Sequence, residues 1–143
     1  MTTLTTTTLK APEMRPVREQ LESTLPHFTG TESYTNLRYP WLKSRFLLTD
    51  GAKYLAETAK AFWLVDAIAS HQVNKKVAAE PFQVWKLIVN EKQQATLTCT
   101  DGNEHILAQQ EIPYTSFPLA EISLYAEQSD YLAGRVVMLT SEY

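Results

Sequence analysis

Residues 61–72 read AFWLVDAIASHQ, the most apolar stretch of the chain, with Asp66 near its middle and His71 near its end. Any fold must bury most of this run, so the run fixes where the core forms. It reads as the second half of one helix from Gly51 to Gln72. Asp50 is expected to cap that helix with its carboxylate, and Lys75 and Lys76 follow its negative end. At roughly 100° per residue, Leu55, Ala59, Phe62, Asp66 and Ala69 share one stripe. Asp66 is therefore expected inside the apolar face. An unpartnered buried carboxylate is costly, so it should be paired or hydrogen-bonded. It reads first as a structural anchor and second as a candidate catalytic acid. His71 falls about 140° away on the same wheel, which argues against a direct Asp66–His71 dyad. Leu64 and Ile68 fall off the stripe, so the helix is apolar nearly all round. Such a helix calls for burial on a second side, by another element or a second subunit.

The rest of the chain supplies partners for this helix. An earlier helix is expected from about Pro16 to Leu25, with Pro16 at its first position and Val17, Leu21, Leu25 and Phe28 on one face. Arg45–Thr49 is expected as a short strand. After Pro81 the texture becomes extended. FQVWKLIV (82–89) suits a central strand, and TLTCT (96–100) alternates with a period of two. Asp101-Gly102 signals a hairpin turn into 105–112, and 122–127 with 135–140 reads as a last hairpin. Helices first and strands after predict an α+β fold. The expected architecture is two main helices on one face of an antiparallel meander of four to five strands. Residues 1–12 are expected as a flexible threonine-rich tail, and residues 13–143 as one domain.

A chain of 143 residues can bury such a core without disulfides or metal. Its one cysteine, Cys99, excludes an internal disulfide and fits a reducing cytoplasm. No apolar run is long enough to span a bilayer, and MTTLTTTTLK has neither a basic start nor an apolar signal-type core. A net charge of −3 gives no global sign of nucleic-acid or membrane binding.

Local chemistry is sparse. His27, His71 and His105 lack metal-ligand spacing, so no metal site is expected, and no glycine-rich loop suggests a cofactor. Cys99, mid-strand beside Leu97, reads as a small buried apolar residue. The segment RYPWLKSR is the exception. Arg38, Lys43 and Arg45 interleave with Tyr39 and Trp41, with no acid among them. Arginine and aromatic side chains are enriched at binding hot spots and can also stack on single-stranded nucleic acid. The plainer alternative has Trp41 and Leu42 covering the core while the basic groups are solvated.

The motifs LTDGAKYLAETA, FWLVDAIASHQ, FQVWKL, IPYTSFPL and SEY, taken together, resemble an uncharacterised family of small bacterial proteins classed as a domain of unknown function. The resemblance covers about residues 28–143. It departs at Thr140, where a proline is expected before SEY. It implies kinship and a bacterial origin, with no activity attached. The expected function is a non-catalytic module binding a protein partner or a second copy of itself. Two alternatives are a small hydrolase using Asp66 with Asp50, Asp101 or a histidine, and a nucleic-acid-associated module using residues 38–45.

Overall fold

The computed structural model of the chain describes residues 8–143, so most of the expected tail lies outside the described residues. Leu9 is buried, and its N–H donates to Ser116 Oγ at 2.9 Å. Helix α1 spans Ala11–Thr24 and begins before the expected Pro16. Pro12 stands in its first turn, where a missing N–H costs nothing, and Glu13 Oε1 accepts the Lys10 N–H at 2.8 Å. Pro16 is instead an exposed interior residue. Leu21 is the fully buried residue of this helix.

The expected helix from Gly51 to Gln72 is two helices, α2 at Asp50–Thr58 and α3 at Phe62–His71. Lys60, with φ of 52°, takes the left-handed position that usually falls to glycine. The Ala61 N–H bonds Ala56 O at 2.8 Å, closing α2 with a Schellman turn. The break resets the helical phase. Buried positions in α2 are Gly51, Ala52, Leu55 and Ala56, and in α3 Leu64, Val65, Ile68 and Ala69. A short helix α4, Lys75–Ala78, follows.

The strands are β1 Thr35–Leu37, β2 Arg45–Leu48, β3 Phe82–Val89, β4 Ala95–Thr100, β5 Ile106–Ile112, β6 Glu121–Ser129 and β7 Gly134–Leu139. They form one sheet in the order β1-β2-β7-β6-β3-β4-β5. This corrects the expected architecture. Among the described residues the sheet has seven strands rather than four to five, and three helices rather than two reach seven residues or more. It is mixed rather than antiparallel, because β2 runs parallel to β7, with Arg45 beside Gly134 and Leu48 beside Val137. The expected meander β3–β4–β5 is present, but β6 pairs with β3 and β7 joins β6 to β2. The fold class is α+β. Phe46 and Leu48, Trp85 and Leu87, Leu97 and Cys99, Leu124, Val137 and Leu139 form one core with α2 and α3. Their alternation places them on one face of the sheet. On the other face, Leu47, Val136 and Met138 form a small separate cluster under Tyr125 and Leu132.

Two buried polar devices tie the sheet to the helices. Gln83 and Gln72 exchange amide hydrogen bonds at 2.9 and 3.0 Å, and Gln83 Oε1 also accepts Trp85 Nε1–H at 2.9 Å. Gln83 Nε2 donates to Val77 O at 2.7 Å. Arg135, buried with no ion pair among the described residues, donates to the carbonyl of Ala78, the last residue of α4, and to those of Glu80 and Pro81 just after it. Its guanidinium is thus satisfied by backbone carbonyls rather than by a carboxylate.

Candidate functional site

The loop between β1 and β2 carries the basic aromatic segment found in the sequence. Tyr39 turns inward and packs edge-on against buried Phe46, with ring centroids 5.8 Å apart. Its hydroxyl reaches across to α3 and donates to Asp66 Oδ1 at 2.5 Å. Burial, and after it this bond to Asp66, push the Tyr39 phenol well above the usual tyrosine range. Trp41 stands against Tyr39 with centroids 5.0 Å apart and keeps 48% of its surface exposed. Leu42 is half-buried against the core, so it covers the core as the plainer reading had it, while Trp41 does not.

Asp66 is exposed, which corrects the expectation that it lies inside the apolar face. The turn at Lys60 is the cause. With α3 read from its own start, Phe62, Asp66 and Ser70 share its outer face, and Leu64 and Ile68 point inward. Phe62 remains 39% exposed one turn before Asp66. On the surface Asp66 is bonded to Tyr39 of the loop. Trp41, Tyr39, Asp66 and Phe62 thus run from the loop onto α3.

Beside this line the loop closes round a depression of about 340 Å³. Arg38, Lys43 and Arg45 line it, together with Leu37, Tyr39 and Leu42, and no acid does. Arg38 and Lys43 are exposed and make no ion pair with any described carboxylate. Arg45 donates to Leu132 O at 3.0 Å, which fixes its guanidinium near the β6–β7 turn.

The other candidate residues are spread over separate elements. Thr49, not Asp50, caps α2, accepting the Ala52 N–H on its Oγ1 at 3.2 Å. Asp50 is the first residue of the helix and accepts from Glu32 N and Ser33 Oγ, both at 2.9 Å, which holds its carboxyl below its usual range. Asp101 accepts from Asn103 N and contacts His105 Nδ1, both at 2.7 Å, inside the β4–β5 hairpin. His71 meets Gln110 Oε1 at 2.8 Å, and its ring lies 5.4 Å from that of Trp85. Asp66, Asp50 and Asp101 share no hydrogen-bond partner with one another. Among the described residues no three His, Cys, Asp or Glu side chains converge as metal ligands would. Cys99 is fully buried, and burial pushes its thiol up to about 12, so no thiolate is available near neutral pH.

Most of the sequence motifs turn out to hold the fold. Glu142 of SEY accepts from Thr49 Oγ1 at 2.6 Å and from Gly51 N and Leu139 N at 2.9 Å, which places a carboxylate at the start of α2. A Cβ on Gly51 would lie 2.6 Å from Glu142 Oε1, so this approach needs glycine. In IPYTSFPL, Thr115 and Ser116 are buried and Phe117 meets Trp63 edge-on at 6.5 Å. The family model of DUF6876, a family of unknown function, matches residues 19–143. The chain belongs to this family. No curated protein and no solved structure gives a significant match. For this DUF6876 chain, the Asp66 of the third-helix motif is bonded to a surface loop rather than packed in the core. Among the described residues no helix is long and apolar enough to cross a membrane.

Sequence reasoning missed Phe62, which a continuous wheel placed inside, and Glu142, whose role depends on a contact across the whole chain. It also missed the Gln72–Gln83 pair. A wheel begun at Ala61 would have found Phe62, since positions 61, 64, 65, 68, 69 and 72 then repeat as one buried face.

Proposed function

We infer that this chain is a non-catalytic protein-binding module whose contact surface is the 38–44 loop and the outer face of α3. The observation carrying this reading is the exposure of Trp41 and Phe62 on either side of the Tyr39–Asp66 bond. Large aromatic side chains that a fold leaves partly open, beside arginine and lysine, suit an interface core with a polar rim. The bond from Tyr39 to Asp66 pre-sets the loop, so less ordering is needed on binding. We take the setting to be cytoplasmic, consistent with the free Cys99 thiol. The test is cross-linking and pull-down from the native cell with the full chain and with Trp41→Ala/Phe62→Ser. A discrete protein captured by the first and lost by the second, at unchanged melting temperature, supports the reading. Equal capture by both refutes it.

A further inference from the structure

We propose that the depression inside the 38–44 loop takes an extended acidic segment of another protein, its carboxylates meeting Arg38 and Lys43. This rests on the reading above and names the partner's chemistry. Among the described residues, three basic residues and no acid line the depression in a chain whose net charge is −3, so the local sign opposes the global one. Arg38 and Lys43 are exposed, and no described carboxylate neutralises either of them. Arg45 Nη1 donates to Leu132 O near the β6–β7 turn, outside the lining of the depression, which leaves Arg38 and Lys43 as the cations free to meet a ligand.

The depression adjoins β1, the terminal strand of the sheet. Among the described residues no strand pairs with the outer side of β1. An extended segment can lie along such an edge, with alternate side chains turned into the loop. Acidic side chains turned that way would find cationic partners in Arg38 and Lys43, with their methylene stems against Leu37 and Leu42. A nucleic-acid strand would satisfy the same cations. It would also carry a charge past the Asp66 carboxylate at every nucleotide and, unlike a peptide, has no backbone amides to pair with the open edge of β1. The opposite edge, β5, offers no such selection, since the depression beside it is lined by Glu111 and holds no cation.

The test uses the full chain at low salt and fluorescence anisotropy of three labelled probes. They are a peptide alternating glutamate and valine, one alternating lysine and valine, and oligothymidylate. The acidic peptide is expected to bind saturably and the basic one not to bind. Arg38→Glu/Lys43→Glu, both surface positions, should weaken the acidic peptide by roughly ten-fold or more. Its melting temperature should match that of the wild type. Absence of saturable acidic-peptide binding, undiminished binding by the reversed variant, or tighter binding of oligothymidylate each overturns the proposal. Sedimentation of the unliganded chain adds one more refuting outcome, a dimer lost on charge reversal, which would assign the site to a second copy. If a captured protein depends on Trp41 but not on Arg38 and Lys43, the binding-module reading stands and this inference alone fails.

Discussion

Removing Glu142 tests whether SEY is a fastening for α2. Its carboxylate accepts three hydrogen bonds, two of them from backbone N–H groups at the helix start and at Leu139. A hydrogen bond to a charged group contributes about 1.5–3 kcal/mol when well shielded. Glu142 is half-buried, and water can replace part of what is lost. A net cost of about 2–3 kcal/mol for Glu142→Ala follows, similar to removing a strong N-cap and one further bond. For a domain of this size that lowers the melting temperature by roughly 6–12 °C. Gly51→Ala should act in part through the same contact, because the new Cβ would lie 2.6 Å from Glu142 Oε1 and 2.6 Å from Leu139 Cδ1. The alanine itself favours the helix by up to about 1 kcal/mol, so the net cost is expected at about 1–2 kcal/mol. Once Glu142 is gone, the part of that penalty due to its carboxylate should vanish, leaving the contact with Leu139 Cδ1. Gly51→Ala in the Glu142→Ala background is therefore expected to cost less than in the wild type, by a coupling of about 0.5–1 kcal/mol. Urea unfolding of the four proteins, with midpoints and slopes fitted together, measures this directly. Equal effects of Gly51→Ala in both backgrounds, or a Glu142→Ala cost under about 0.5 kcal/mol, would refute the reasoning.

Gln83→Leu removes a shared amide and leaves Trp85 Nε1, Val77 O and Gln72 without their partner, so it should cost about 3 kcal/mol in urea unfolding. A cost under about 1 kcal/mol would show that the pair is replaceable. The raised Tyr39 phenol means that the folded chain keeps a proton the unfolded chain releases above its ordinary value of about 10. Stability from this group is therefore complete below about pH 10 and lost as pH rises beyond it. Tyr39→Phe should flatten the alkaline decline in melting temperature, and an unchanged decline would contradict the assigned bond.

The strands were legible because their alternation is local. FQVWKLIV at 82–89 is β3 to the residue, and β4 to β7 lie within two residues of their expected ends. What pairs with what was not legible. The parallel pairing of β2 with β7 joins Arg45–Leu48 to Gly134–Val137, and no short-range pattern encodes it. The strand β1, three residues reading TNL, is too short to show a period. The helix break was hidden because lysine holds the left-handed position, where glycine would have flagged it. That single backbone angle moved Asp66 from the expected core to the surface. The basic aromatic segment was visible as composition, whereas its bond to α3 depends on tertiary placement.

The strand β7 comes last of the seven in the sequence yet lies third across the sheet, between β2 and β6. During synthesis, the β1–β2 ladder and the β3–β6 block leave the ribosome as two pieces with no strand to connect them. A nascent chain cut before Gly134 should therefore expose the inner edges of both pieces and fall to chaperones or proteases. Closure of the sheet waits on the arrival of one short, wholly buried segment.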